Sequence, residues 1–162
     1  MLSPSPRVPQ RLTPGPPFAR PRCVLILDPK PVQAASAASE LLAMARILLA
    51  EDDDQMRAFL TRGLQRAGHT VDAVGDGTAA LECAHEKDYD LLLADVVMPG
   101  IDGIELAGRV STHQPGIHVM FITGFAAVVL QDQRLASQRP RVLAKPFHLR
   151  HLIGEIEALL SQ

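Results

Sequence analysis

The chain has 162 residues, 18 of them acidic and 16 basic, for a formal net charge of -2. That length holds one domain with a buried core, and the near-neutral balance argues against a nucleic-acid partner. With no Trp, one Tyr and five Phe there is no base-stacking platform, and no apolar run reaches the roughly 18 residues of a membrane span, so no membrane insertion is expected.

Nine of the 13 prolines precede residue 32. Residues 1–43 carry five basic and two acidic groups, a charge of +3; residues 44–162 carry 11 basic and 16 acidic groups, a charge of -5. A stretch rich in Pro and poor in large apolar residues cannot offset its ordering entropy by burial. Residues 1–43 therefore read as a disordered extension, with a short helical tendency over 34–43. Three origins compete: a polyproline interaction arm, a targeting peptide, or translated upstream sequence with Met44 as the true start. The compositional break favours the last. Cys23 and Cys83 form neither a disulfide framework nor a CxxC motif, which points to a reducing cytoplasm.

Past Met44 the pattern becomes regular. Ile47, Leu48, Leu49 and Ala50 form an apolar run that ends at Glu51 and Asp52. Met56, Phe59, Leu60, Leu64 and Ala67 mark a helical stripe that Gly68 can close in the left-handed conformation. Residues 70–74 are a weaker strand, ending at Gly75 and Asp76. The Gly75-Asp76-Gly77 turn lacks the third glycine of a dinucleotide fingerprint. Residues 78–86 follow as a helix capped by Asp76, with Cys83 on its packed side. The run 91–94 ends at Asp95. Residues 103–113 predict a helix stopped by Pro115 and Gly116. The run 119–122 ends at Thr123, and 126–137 is read as a helix. Residues 142–144 end at Lys145. Leu152, Ile153, Ile156, Leu159 and Leu160 mark the last helix.

Strands that are apolar throughout, alternating with helices, predict an α/β fold with a parallel sheet covered on both faces. Ligand sites in such sheets lie beyond the carboxyl ends of the strands. Glu51, Asp52, Asp95, Thr123 and Lys145 each occupy such an end. Three carboxylates brought together need a compensating cation, and an all-oxygen site completed by water and phosphate suits Mg2+. A carboxylate can act as a nucleophile and form an aspartyl-phosphate. A Lys and a Thr hydroxyl complete what phosphoryl transfer asks of a protein.

These residues carry a resemblance. Glu51-Asp52, the run from Asp95 through Pro99 to Gly103, Thr123-Gly124 and Lys145-Pro146-Phe147 resemble, in this order, the receiver domain of bacterial response regulators over residues 45–161. The resemblance implies a CheY-like, flavodoxin-like (βα)5 fold with a doubly wound five-stranded sheet in the order 2-1-3-4-5. It implies that Asp95 is the phosphoacceptor, and that Asp52, Asp95 and the backbone carbonyl of Val97 hold Mg2+. Glu51 would act through a bound water. Thr123 would contact the phosphoryl group and carry the switch, and Lys145 would neutralise its charge. Lys145-Pro146 would be a cis peptide. The register set by Met56 and Arg57 leaves Asp53 outside the pocket. The phosphoryl donor would be a histidine kinase or a histidine phosphotransfer protein.

One departure concerns the switch: the position three before Lys145, usually aromatic, is Val142. Phe125 and Val97 flank the path of an attacking water. Phe125, Val142 and Phe147 are read as core residues, with a switch or partner face at the fourth and fifth helices as the alternative. His148 and His151 could share a metal, but solvated or partner-facing side chains are the preferred reading.

A narrower resemblance lies in the segments from Met44, from Phe121 and from Lys145, which look like the CpdR group of single-domain alphaproteobacterial cell-cycle regulators. It implies phosphorylation in a cell-cycle phosphorelay and, when unphosphorylated, priming of the ClpXP protease through ClpX. The alternatives are a relay intermediate or a chemotaxis-type, motor-binding regulator. A haloacid-dehalogenase-type phosphatase also uses Asp, Thr, Lys and Mg2+. Such enzymes typically carry a second Asp where this chain has Val97. The expected protein is thus a switch and not a turnover enzyme.

Overall fold

A computed structural model describes residues 44–132 and 140–162. Among the described residues five strands and five helices alternate: β1 (Arg46–Ala50), α1 (Asp54–Arg66), β2 (Thr70–Val74), α2 (Gly77–Glu86), β3 (Leu91–Ala94), α3 (Gly103–His113), β4 (His118–Thr123), α4 (Ala126–Gln131), β5 (Arg141–Ala144) and α5 (Leu149–Leu160). The strands are parallel and form one sheet in the order β2-β1-β3-β4-β5. This is the expected flavodoxin-like arrangement. The expected extension over 1–43 lies outside the described residues. So do residues 133–139, which include most of what the helix expected over 126–137 would add to α4.

The sheet forms because its strands are apolar on both sides. Ile47 and Leu49 of β1, Leu91 and Leu93 of β3, and Met120 and Ile122 of β4 pack against Leu60 and Leu64 of α1 and Leu152 and Ile156 of α5. Leu48, Leu92 and Phe121 point the other way, into α2 and α3. Each fully buried Leu or Phe of this kind stabilises the fold by about 1.5–3 kcal/mol.

Three of the described helices start on an aspartate cap, of which the sequence reading named Asp76. Asp53 accepts from the Met56 amide at 2.7 Å, Asp76 from Ala79 at 2.8 Å, and Asp102 from Glu105 at 2.7 Å. Each satisfies an amide that the helix leaves unpaired at its start. Gly68 adopts φ 99°, so α1 ends as expected. The stripe on α1 is narrower than expected. Phe59 is 45% exposed, while Thr61 and Gly63 are buried. At Gly63 a Cβ would sit 2.5 Å from Leu149 Cδ2, so its absence lets α5 pack close against that face of α1.

Registers complete the frame. Ala50 is level with Val74 and with Ala94, and Thr123 is level with Ala144. The residues that follow these strand ends therefore gather along one edge of the sheet.

Candidate functional site

Glu51 leaves β1 with its amide bonded to the Val74 carbonyl at 3.1 Å, and its side chain is fully buried. Asp95 leaves β3 with its amide bonded to the Ala50 carbonyl at 2.9 Å. Lys145 leaves β5 with its amide bonded to the Thr123 carbonyl at 2.9 Å. These backbone bonds aim three side chains into one pocket. Lys145 Nζ donates to Asp95 Oδ2 at 2.7 Å and to Glu51 Oε2 at 2.8 Å. The other oxygen of Asp95, Oδ1, accepts from the Val97 amide at 3.2 Å. Asp52 is exposed beside them, and carboxylate oxygens of Glu51, Asp52 and Asp95 lie within 4.8 Å of one another. Among the described residues, this is the one group of three or more His, Cys, Asp or Glu arranged to close on an ion.

The electrostatics follow from burial and pairing. Burial pushes the Glu51 carboxyl above its ordinary range, and the Lys145 ammonium only partly opposes this. Burial alone would lower Lys145, but its bonds to Asp95 and Glu51 outweigh that and hold it above its ordinary value. Three carboxylates against one ammonium leave an excess of negative charge in a confined, oxygen-only donor set. Such a set fits a hard divalent cation such as Mg2+.

The remaining expected residues divide between the strand ends, the loops and the sheet faces. Thr123 is fully buried at the end of β4, and its Oγ1 accepts from the Phe125 amide at 3.1 Å. A hydroxyl that accepts one bond still has its proton to donate. Gly103 opens α3 where a Cβ would stand 2.0 Å from the Asp95 carbonyl oxygen, so only glycine lets the loop turn there. Pro99 is exposed on that loop, next to Gly100 at φ 78°. Lys145-Pro146 is cis. Val142 is half-buried against the α2–α3 side of the sheet and Phe147 against the α1–α5 side. Phe125 does not join the core: it is 57% exposed, and Val97 is 56% exposed. Phe125 sits where the chain turns out of β4 into α4, so its backbone bonds to Thr123 while its side chain points to solvent.

Asp53 stays out of the pocket because its carboxylate caps α1. His148 and His151 are exposed, and His151 lies 3.7 Å from Glu155. Sequence reasoning missed Arg57. Its Nη1 donates to the carbonyl oxygens of Glu51 at 2.8 Å and Asp52 at 3.3 Å, and its Nη2 pairs with Asp54. An Arg in the first turn after an acidic run was the available signal.

The profile of the response regulator receiver domain matches residues 47–157. The response regulator receiver protein CpdR of Brucella abortus is 51% identical over 117 residues, covering 72% of this chain and 98% of CpdR. Among solved structures, the receiver domain of the hybrid histidine kinase CckA is 33% identical with a TM-score of 0.61, covering 71% of this chain and 98% of that domain. The response regulator TrrA of Thermotoga maritima, solved in complex with Mg2+-BeF, is 28% identical with a TM-score of 0.65, covering 72% of this chain and 99% of TrrA. Among the described residues, no helix is long and apolar enough to cross a membrane.

Proposed function

We propose, for a chain that belongs to the family of response regulator receiver domains, that it is a phosphorylation-driven switch with Asp95 as the acceptor. The observation that carries this reading is the Lys145 ammonium shared between Asp95 and Glu51, with Asp52 beside them. The donor is a phosphohistidine on a histidine kinase or a histidine phosphotransfer protein. A carboxylate oxygen of Asp95 attacks phosphorus, a P–O bond forms, and the P–N bond breaks. The imidazole leaves with the bonding pair and takes up a proton.

Asp52, Asp95 and the Val97 carbonyl would hold Mg2+, with Glu51 acting through a bound water. When bound, the ion supplies charge neutralisation for the transferring group. Lys145 keeps a second positive charge against the acceptor oxygen. The Thr123 hydroxyl, tied to the amide of Phe125, is free to donate to a phosphoryl oxygen. That bond would pull on the β4–α4 connection and so report phosphorylation to the α4–α5 surface, where Phe125 and Phe147 lie. With Val142 in place of an aromatic, the motion of Thr123 is not coupled to a ring flip at that position. Val97 and Phe125, both exposed, stand over the path of a hydrolytic water and set the lifetime of the acyl phosphate. The chain turns over no small substrate.

The resemblance to the CpdR group carries a finer reading. In it, the protein works in the cytoplasm, receives its phosphoryl group in a phosphorelay, and in the unphosphorylated form contacts ClpX to prime ClpXP. The likeness to the CckA receiver supports the relay. Output of this kind needs a partner whose affinity differs between the two states, commonly by about 1–3 kcal/mol.

The test is labelling with radioactive acetyl phosphate in Mg2+. The wild type labels and Asp95→Asn does not; labelling of the Asn variant at the wild-type rate overturns the assignment. ClpX capture by the unphosphorylated protein, lost on phosphorylation, tests the finer reading; equal capture in both states removes it.

A further inference from the structure

We infer that Arg57 is a positioning residue for the cation site, acting through the backbone of Glu51 and Asp52. The inference rests on the proposed Mg2+ site and adds to it a residue that donates no ligand.

Two bonds hold the Glu51 carboxylate, from Lys145 Nζ at 2.8 Å and from the Asp53 amide at 3.4 Å, but neither reaches the backbone carbonyls of the acidic loop. Between β1 and α1 only three residues, Glu51, Asp52 and Asp53, make the turn. The Glu51 amide is tied to Val74, and the Asp53 carboxylate is spent on the Met56 amide. The carbonyl oxygens of Glu51 and Asp52 have left the sheet and precede the helix, so no ladder bond reaches them. Arg57 lies one turn into α1, its amide bonded to the Asp53 carbonyl at 2.8 Å. From there the side chain folds back toward the helix start. One guanidinium nitrogen meets both carbonyls, at 2.8 and 3.3 Å, and the other takes the Asp54 carboxylate. Nη1 alone bridges the two carbonyls while Nη2 is anchored on Asp54, so the planar guanidinium fixes the direction of two successive peptide planes, and hence of the two carboxylates they carry.

The guanidinium is itself held. Its side chain is 23% exposed, and Gly75 closes on it from β2: a Cβ at that position would stand 3.1 Å from Nη1 and 3.4 Å from the guanidinium carbon. The glycine of the β2–α2 turn, with no ligand role of its own, thus leaves room for the clamp. Gly77 extends the same turn to the other loop, because a Cβ there would meet the Ile101 carbonyl oxygen at 2.0 Å. Arg57, Gly75 and Gly77 make a continuous contact from the Glu51–Asp52 loop to the loop that follows Asp95.

Charge and position predict opposite outcomes, which makes the inference testable. Arg57 is a cation beside a cation site. By Coulomb's law alone, its removal would tighten Mg2+ binding. As a clamp, its removal loosens the two carboxylates and weakens binding. Groups that hold metal ligands in place without touching the ion are worth at least about tenfold in metal affinity, so Arg57→Ala is expected to raise the Mg2+ dissociation constant by about that factor in calorimetric titration. The labelling rate at saturating Mg2+ should fall far less than the affinity. Arg57→Lys keeps the charge but loses the second nitrogen that anchors the group on Asp54, so it should also weaken binding. Gly75→Ala, which removes no polar group and nudges the guanidinium by tenths of an ångström, should weaken it a few-fold. Should Arg57→Ala not fold, the Gly75→Ala titration decides. Unchanged or tighter Mg2+ binding by a folded variant, checked by circular dichroism, overturns the inference. If wild-type protein binds no Mg2+ at all, it is the proposed function that falls.

Discussion

His69 is an imidazole sealed in the protein without a bond to either ring nitrogen among the described residues. It is 5% exposed, at the turn between α1 and β2, with Glu157 of α5 as the charge that reaches it. Burial depresses its affinity for a proton, and Glu157 only partly opposes this. In the unfolded chain the ring takes up a proton near its ordinary 6.5, whereas the folded chain resists until a lower pH. Between those values the unfolded state binds more protons, so stability falls as the pH drops below about 6.5. His69→Phe should flatten that acid limb, and its unfolding midpoint should exceed the wild type's by more at pH 5.5 than at pH 7.5. A constant difference between the two pH values would show that the ring does not titrate on unfolding. A second buried group is better served. Asp72 sits on β2 with one oxygen receiving both Lys87 at 2.9 Å and the Tyr89 hydroxyl at 2.7 Å. Burial and that bond together hold the Tyr89 proton well above its ordinary range. Tyr89→Phe takes one of two donors from a buried carboxylate and should cost about 1–3 kcal/mol in urea denaturation. A cost near zero would mean that water replaces the hydroxyl.

Elements meet through their glycines, and two of these separate packing from propensity. Gly77 opens α2 against the Ile101 carbonyl, with no room for a side chain. Gly108 lies in the middle of α3 with nothing within 4 Å of its missing Cβ. Gly77→Ala should therefore destabilise the fold by about 1–3 kcal/mol through overpacking. Gly108→Ala should stabilise it by about 0.5–1 kcal/mol by lowering the entropy of the unfolded chain. Thermal unfolding of the two variants side by side checks the pair, and a stabilising Gly77→Ala would mean that the β3–α3 loop moves aside at little cost. The same distinction explains which features could be read from sequence. Strand runs such as Leu91 to Ala94 are apolar without interruption, and the polar residue that ends each one stands at the carboxyl edge by necessity. Glu51, Asp95, Thr123 and Lys145 were legible for that reason, as was Asp76 at the start of its helix, whereas the cap formed by Asp53 was not read. Arg57 was not, because its use depends on a side chain folding back past its own helix terminus. Nor was the Asp72–Lys87–Tyr89 cluster, whose members are 15 and 17 positions apart and meet only once α2 has packed. Phe59 misled because helical spacing counts apolar residues and cannot foresee that Gly63 lets α5 pack close against a neighbouring face.

At the scale of the molecule the charge divides between two regions. The +3 of residues 1–43 and the -5 of residues 44–162 nearly cancel, and part of the acidic excess is the Glu51, Asp52 and Asp95 cluster. Both buried clusters of the described fold are built from residues between Ile47 and Leu159 or pressed on by neighbours from Ala45 to Leu160. The sheet's first strand begins at Arg46, whose amide is held by the Asp90 carboxylate at 2.7 Å. That bond ties the start of β1 to the loop before β3, so the first strand has its own anchor. A protein that begins at Met44 should therefore retain the whole sheet, the Lys145 bridge and the Arg57 clamp. About 4 °C of midpoint corresponds to 1 kcal/mol for a domain of this size, so the shortened protein should melt within about 4 °C of the full chain. It should also label with acetyl phosphate at the same rate in Mg2+. A larger loss of stability would mean that residues 1–43 contribute to the core. A change in labelling at equal stability would mean that their positive charge acts on the acidic site, and raising the salt concentration would then abolish the difference.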